Sequence, residues 1–414
     1  MIEIAIMGHG VVGSGVAGII TTHKKKLFAS IGEEIHIKHI LDLREFPDSP
    51  LADRFTKDFE DIINDVEVRV VAEVMGGINP AYDYTKRLLK AGKSVVTSNK
   101  ELVAAKGAEL LQIAKENNAN FLFEASVGGG IPIIRPLSQC LVANEVKEIA
   151  GILNGTTNFI LTKMFDEGMD FDSALKLAQD LGFAERNPAA DVEGHDACRK
   201  ICILASLAFG KHVYPDNIHT EGITEITLAD VKYAASMDSV IKLIGDVKLL
   251  DGGKMDIFVA PMLISKKSQL ANIDNEFNGI MVRGDCTGDV VFYGKGAGSM
   301  PTASAVVADI VDCCKHLKAR KYLFWADSTG DNIIPYNESE TAVYLRLGVA
   351  SRDTALAKVK ELFGDVAVLS IENEAENELA VVTPVLSVEK IGAALSELEK
   401  DGITALSNIR IGDL

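Results

Sequence analysis

The sequence is short of the features that would tie a chain together covalently or send it to a membrane or a nucleic acid. It has six cysteines (Cys140, Cys198, Cys202, Cys286, Cys313 and Cys314) in 414 residues, with no CxxC spacing, so neither a disulfide framework nor a zinc site can be read from them. Cys198 and Cys202, four apart on an expected helix, and the adjacent Cys313 and Cys314 read as buried small hydrophobes. Positive charge is in deficit: Lys+Arg 42 against Asp+Glu 59 gives a net charge of −17. That balance argues against nonspecific binding to nucleic-acid phosphates or anionic lipid, which positive patches drive. No unbroken apolar run reaches the ~18 residues that span a bilayer. Glu3 stands where a secretory leader would carry basic residues, so a cytoplasmic location is expected. No period of 20–50 residues recurs, which excludes a repeat array.

What the chain does have is a core-forming composition, 47% hydrophobic and 24% charged, over a length that suggests two or three domains of ~100–200 residues. Residues 2–7 read as a buried strand that runs into Gly8-His-Gly10-Val-Val12-Gly13 and then an apolar helix. This is GxGxxG in the strand–turn–helix setting that gives the motif meaning. Gly8 permits the turn, Gly10 lets backbone approach a pyrophosphate, and Gly13 lets helix pack on strand; the alternative is a glycine-rich turn with no ligand. A second apolar run ends at Asp42, the usual place for the acid that binds the ribose hydroxyls, 29 residues past Gly13 instead of the usual ~20. The basic insert 21–26 accounts for the excess. Asp42 would repel a 2′-phosphate and Arg44 would accept one, and the balance slightly favours NAD; solvated turn residues are the alternative for both. Strands over 66–76 and 93–97 follow, and the second ends in Thr97-Ser-Asn-Lys100, which points Lys100 toward a cofactor crevice unless it simply caps a surface loop. Another strand, 120–126, breaks into Val127-Gly-Gly129-Gly-Ile131-Pro. Its free carbonyls and Glu124 suit a hard cation, and a plain interdomain hinge is equally open.

From residue 146 the pattern changes to a strand, a polar turn Asn154-Gly-Thr-Thr-Asn158 and two helices. Next comes an acidic loop with Gly182, Glu185, Asp191, Glu193 and Asp196, punctuated by Pro188 and Gly194. A helix follows that is apolar nearly all round yet carries Lys200. Asp196 and Lys200 share one face at this spacing. An amine beside carboxylates on a buried helix is an arrangement for moving a proton; the alternative is an acidic helix start with one surface ion pair. Residues 255–265 and 277–293 alternate as strands. A glycine-rich turn, 294–298, opens a helix over 302–314, and a connector covers 319–339. The last residues read strand–helix–strand–strand–helix–strand, the ferredoxin-like order.

In this order the motifs resemble homoserine dehydrogenase along nearly the whole chain. The residues that carry the likeness are Gly8 to Gly13, Glu73-Val-Met-Gly-Gly77, Val96 to Lys100, Glu124 to Pro132, Gly151 to Asn158, Leu181 through Lys200, and Phe292 to Thr302. The terminal unit resembles an ACT domain. The resemblance implies an α/β protein with four parts. These are a Rossmann-type nucleotide-binding domain (1–130 plus 301–318), an α+β substrate and dimerisation domain with a mixed sheet (131–300), the connector, and a ferredoxin-like ACT domain (340–414). It implies NAD(P)-dependent interconversion of L-aspartate 4-semialdehyde and L-homoserine, on the route to threonine, methionine and isoleucine. Lys200 would give and take the proton, and Asp196 would orient that amine and contact substrate. Glu185 and the backbone of Gly182 would hold the substrate amino group, with Asp191 in the same pocket. Lys100 would lie beside the nicotinamide and Gly298 would line the cofactor from the other side. Glu124, Val127, Gly129 and Ile131 would hold a structural sodium ion. A homodimer or homotetramer is implied, and an amino-acid effector at the ACT unit is open. The Asn154–Asn158 turn is expected to donate to the substrate carboxylate. Two other readings stay open: a semialdehyde or diaminopimelate-pathway oxidoreductase of the same plan, and a non-catalytic amino-acid sensor. The first would need a nucleophilic cysteine if it were phosphorylating, and none of the six has a recognisable catalytic setting.

Overall fold

In the strand Ile2–Met7 (β1), residues 4–7 are wholly out of solvent, as befits a parallel strand covered on both faces. Each buried isoleucine there contributes on the order of 1.5–3 kcal/mol. The computed structural model describes residues 1–319 and 323–414. It falls into two units: Met1–Val146, Arg199–Asn217 and Gly294–Gly330 form one, and Lys147–Cys198, Ile218–Tyr293 and Asp331–Leu414 the other. The expected connector 319–339 includes residues 320–322, which lie outside the described residues.

In the first unit β1 is joined by β2 (Ile35–Leu41), β3 (Phe55–Thr56), β4 (Val68–Glu73), β5 (Ser94–Thr97) and β6 (Phe121–Leu122). The order is β3-β2-β1-β4-β5-β6 and the pairings are parallel. The order reverses between β1 and β4, which makes a doubly wound sheet with its switch point at the end of β1. Its helices are α1 (Val11–Thr22), α2 (Lys24–Ile31), α3 (Glu60–Ile63), α4 (Ala81–Lys90), α5 (Lys100–Glu116) and, from later in the chain, α11 (Ser299–Lys315). The basic stretch read as an insert after the first helix is the start of α2, a helix with no buried residue. With no apolar stripe to reveal it, its period was invisible in the sequence.

The second unit is built on a mixed sheet: β7 (Val146–Ile152), β9 (Ser239–Leu249), β10 (Met255–Ser265), β11 (Phe277–Gly284) and β12 (Gly288–Lys295), with a short β8 (His219–Thr220) beside β10. The stretch 277–293 is therefore a hairpin, not one strand; its turn ends at Gly288, whose φ of 65° lies in the left-handed region. Helices α6 (Gly155–Glu167), α7 (Phe171–Asp180), α8 (Ala189–Val192), α9 (His195–Phe209) and α10 (Leu228–Ser236) belong to the segments around this sheet, and α9 continues past Cys198 into the first unit.

The terminal segment contains β13 (Glu340–Thr341), β14 (Val343–Gly348), α12 (Arg352–Phe363), β15 (Ala367–Leu369), β16 (Glu378–Val382), β17 (Leu386–Ser387), α13 (Val388–Lys400) and β18 (Thr404–Gly412). The order β18-β14-β16-β15 with antiparallel pairs is the ferredoxin-like arrangement, and β13 and β17 form a separate small ribbon. Odd positions of β14 (Val343, Leu345, Leu347) pack with Ala355, Val359 and Phe363 of α12 and with Ile391, Ala394 and Leu398 of α13. The even positions turn to α10: the Tyr344 hydroxyl and Arg346 Nε donate to Asp230 Oδ1 at 3.1 and 3.0 Å. β18 also pairs in parallel with β10 (Met262 with Arg410 through Ile264 with Gly412), so one sheet runs through both parts of this unit. No helix among the described residues is long and apolar enough to cross a membrane.

One charged row crosses this sheet. Arg283 of β11 meets Glu148 of β7; Lys248 Nζ lies 3.1 Å from Glu148 and 3.8 Å from Asp246, both on buried carboxylates. Neither oxygen of Asp246 finds a hydrogen-bond partner among the described residues. Burial, with Glu148 nearby, outweighs Lys248 and pushes the Asp246 carboxyl up to about 8. A carboxyl that keeps its proton in the fold but loses it in the unfolded chain costs stability as pH rises, here between about 4 and about 8. Asp246→Asn is therefore expected to leave urea stability at pH 4 nearly unchanged and to raise it at pH 8.5 by at least ~1 kcal/mol; equal shifts at both pH values would refute the assignment.

Candidate active site

The end of β1 makes a tight turn because Gly8 adopts φ +97°. A Cβ on Gly13 would stand 2.0 Å from the Gly8 carbonyl oxygen, whereas one on Gly10 would meet nothing within 4 Å. Gly13 is thus closed by packing, and Gly10, the N-cap of α1, faces open space. Val12, the second residue of α1, is half-buried. Helix α11 starts beside α1: the Ser299 hydroxyl donates to the Val11 carbonyl at 2.7 Å, and a Cβ on Gly15 would be 2.9 Å from that of Ala303. Gly298, with φ 118°, is the N-cap of α11, so two helix N-termini lie together at the switch point. Such paired positive ends suit an anionic pyrophosphate.

Asp42 is the first residue after β2. Its carboxylate accepts the His9 N–H (2.8 Å), the Arg44 N–H (3.0 Å) and the Arg44 guanidinium twice (2.9 and 2.8 Å). Arg44, hydrogen-bonded to it, holds the Asp42 carboxyl well below the usual carboxylate range. The two residues expected to choose between cofactors are thus one ion pair, anchored to the glycine turn through His9. Arg44 also lies 5.3 Å from the Phe46 ring centre, beside a cavity of about 280 Å3 that Asp42, Phe46, Phe55 and Lys57 line with it.

Thr97 is buried, and its hydroxyl donates to Glu73 Oε2 at 2.6 Å while accepting the Asn99 N–H at 2.9 Å. Glu73 also accepts the Met75 N–H (2.8 Å), and the Asn99 amide donates to the Gly77 carbonyl (2.6 Å) while its oxygen caps α5 at Leu102 (3.0 Å). Glu73 and Asn99 so pin the loops after β4 and β5 and hold Lys100, half-buried, as the first residue of α5. Burial pushes the Glu73 carboxyl up. Neither residue was singled out from the sequence, although Asn before a helix is an N-cap signal.

The second unit supplies the acids. Asn154 caps α6 by accepting the Thr157 N–H (2.9 Å), and its amide nitrogen donates to Asp191 Oδ1 (2.7 Å) and Asp196 Oδ2 (2.9 Å). Gly182, with φ +78°, follows α7, and Glu185 is exposed on the loop beyond, its backbone carbonyl accepting the Gln179 amide. Thr156 holds that loop through the Phe183 carbonyl at 2.7 Å. Asp196 lies in the first turn of α9 and Lys200 one turn on, 4% and 7% exposed. The neighbours of the two expected lysines meet, since Arg199 lies 3.5 Å from Glu101. Glu193 is exposed and faces His195 at 3.2 Å.

Two expected binding groups have partners inside the fold. The side-chain amides of the Asn154–Asn158 turn are engaged within the protein: that of Asn154 serves the two aspartates, and that of Asn158 donates to the carbonyls of Ile273, Asn275 and Phe277 at 3.0, 2.9 and 3.1 Å. Glu124 does not offer its carboxylate freely to a cation either, because the N–H groups of Ile133, Ile134 and Arg135 bind it at 2.6, 2.8 and 2.8 Å. A cation there would rest on backbone carbonyls. Among the described residues no cluster of His, Cys, Asp or Glu is arranged to hold a metal. Val127 and Ile131 are buried in the same loop, where Gly129 has φ +56°.

Comparison with known proteins points to one family. The profile of homoserine dehydrogenase matches residues 132–311, and that of the homoserine dehydrogenase NAD-binding domain matches residues 8–124. The homoserine dehydrogenase of Bacillus subtilis is 39% identical over 92% of this chain and 90% of its own. The chain belongs to the homoserine dehydrogenase family. Its members are NAD(P)-dependent oxidoreductases, and the relative from Pseudomonas aeruginosa is 36% identical over 98% of this chain and 95% of its own. The crystal structure of the family member from Thiobacillus denitrificans superposes with a TM-score of 0.92 at 34% identity, covering 100% of this chain and 98% of that one. A hyperthermophilic archaeal member solved in complex with NADPH superposes with a TM-score of 0.65 at 30% identity, over 75% of this chain and 97% of its own.

The two contrasting glycine environments give a paired expectation. Gly10→Ala should melt like the wild type yet bind NADPH at least ~10-fold more weakly, because its Cβ enters the space a pyrophosphate needs. Gly13→Ala should lower the melting temperature, because the 2.0 Å contact must be relieved by moving α1 off β1. Fluorescence titration and thermal melting check both, and a Gly10→Ala variant with wild-type affinity would remove the pyrophosphate from this turn.

Proposed function

We propose that the chain interconverts L-aspartate 4-semialdehyde and L-homoserine, with Lys200 moving the proton. The observation that carries this reading is a lysine buried one turn after a buried aspartate on α9. The glycine turn, the adjoining starts of α1 and α11 and the Asp42–Arg44 pair fit a dinucleotide; bound there, its nicotinamide supplies or takes the hydride. Hydride addition to an aldehyde carbon leaves negative charge on oxygen, and a cationic acid at that oxygen lowers the barrier. Lys200 gives its proton to this oxygen in reduction and takes the hydroxyl proton in oxidation. Asp196 orients the ammonium and, with Asp191, faces the substrate's amino group. Asp191, Glu185 and the Gly182 carbonyl receive the substrate's positive amino group, and Lys100 aligns substrate with the nicotinamide.

The finer assignments rest on the same residues. Asp42 stands at the adenosine ribose and Arg44 neutralises it, so both NAD and NADP are admitted, with a slight preference for NAD. Glu124, with the carbonyls of Val127, Gly129 and Ile131, would hold a structural sodium ion. The terminal ferredoxin-like unit is an ACT domain, and a cavity of about 570 Å3 beside Ala350, Ser351, Thr354 and Asp401 is where an amino-acid effector would sit.

The test follows nicotinamide absorbance with L-homoserine and NAD or NADP. Lys200→Ala should lower kcat by at least ~100-fold, the usual scale for general acid–base catalysis; a folded variant with near-normal kcat refutes the role. Arg44→Ser should raise the NAD-to-NADP ratio of kcat/KM by about 10-fold, since Asp42 would then face a 2′-phosphate without its counter-charge. An unchanged ratio would place the 2′ position elsewhere.

A further inference from the structure

The start of α6 does more than begin a helix. Asn154 is 5% exposed and its amide is used at both ends. The oxygen accepts the Thr157 N–H at 2.9 Å and the Thr157 hydroxyl at 3.2 Å, while the nitrogen donates to Asp191 at 2.7 Å and to Asp196 at 2.9 Å. The amide can be placed only this way round, because a flipped group would turn its NH2 on the Thr157 N–H and its oxygen on two carboxylates. Asp191 and Asp196 therefore sit across one nitrogen, each within hydrogen-bond reach of it. Two anions so placed repel, and a donor between them offsets that repulsion. The helix cap fixes the plane of the donor. Thr156 ties the same turn to the Phe183 carbonyl at 2.7 Å, and on the other side a Cβ on Gly155 would fall 2.5 Å from the Glu276 carbonyl oxygen, so the turn has no room to shift.

We infer that Asn154 is a positioning residue for the reaction: its two amide hydrogens set the spacing of Asp191 and Asp196, and this pair so spaced receives the substrate ammonium. The inference rests on the reading of the acidic pair given under Proposed function. It places the determinant of amino-group recognition in a neutral side chain that acts through two carboxylates.

Asn154→Asp tests it, because the new side chain caps a helix as well as asparagine does but replaces both donors with acceptors. At pH 8 this variant should lose ~10- to 100-fold in kcat/KM for L-homoserine, the scale of a lost hydrogen bond to a charged group, with most of the loss in KM. The deficit should narrow as pH falls, since the introduced carboxyl regains a donor on protonation. Asn154→Ser, a cap without an amide, should show a loss that does not narrow. NADPH affinity should stay at the wild-type value in both, and the melting temperature in Asn154→Ser. Wild-type kcat/KM and pH profile in Asn154→Asp, with Lys200→Ala inactive, would overturn the positioning role and leave the proton-transfer reading standing. Activity retained in Lys200→Ala would overturn the reading itself and the inference with it. Parallel losses of melting temperature and NADPH affinity in both Asn154 variants would reduce the residue to a helix cap and also overturn the inference.

Discussion

Taking an ammonium and a carboxylate out of water costs several kcal/mol per ion, and α9 does both within one turn, at Asp196 and Lys200. A helix whose other residues include Ala197, Cys198, Ile201, Cys202, Ile203 and Leu204, all buried, supplies the packing energy that makes this affordable. The rest of the site follows from that cost. Asp196 is met by Asn154, Asn154 is fixed by the cap of α6, and α6 is wedged by the close approach of Gly155 to the 273–277 segment. In the first unit Arg199, the residue before Lys200, faces Glu101, the residue after Lys100. A proton donor held in this manner has few directions in which to move, which is what transfer at a fixed atom requires.

The nucleotide-binding unit meets a different constraint. Parallel strands end in loops at one edge of the sheet, and those loops must reach a ligand without collapsing onto it. Here buried side chains beneath them do the holding. Glu73 and Thr97 bind each other under the loops after β4 and β5, Asn99 bridges those loops, and Asp42 anchors the turn after β1 through the His9 N–H.

Much of this was legible in the sequence, and the exceptions have common causes. Gly8, Gly10 and Gly13 announced their turn because each has a distinct steric duty, and the doubly wound order followed from strands spaced by helices. The terminal βαββαβ order was readable because its strands and helices carry clean periods. β9 was missed because Lys242, Asp246 and Lys248 interrupt its apolar run, and the lysines' partners Asp274 and Glu148 lie on a loop and another strand, invisible to any local pattern. α2 was missed for the opposite reason, as it buries nothing. At the site, the residue types that do chemistry were recognisable by kind, while the amides and hydroxyls that hold them were not. The partners of the Asn154 amide, Asp191 and Asp196, lie 37 and 42 residues on.

The join between β10 and β18 bears on how the chain tolerates being shortened. Cutting away the terminal segment would turn β10 into a bare edge, with open backbone groups along Met262, Leu263 and Ile264. It would also leave Asp230, wholly buried in this fold, without the arginine and tyrosine that now neutralise and bond it. The ferredoxin-like segment is thus structural masonry for the unit that carries the acidic pair, and proteolytic loss of it would expose a sticky strand and strand a charge.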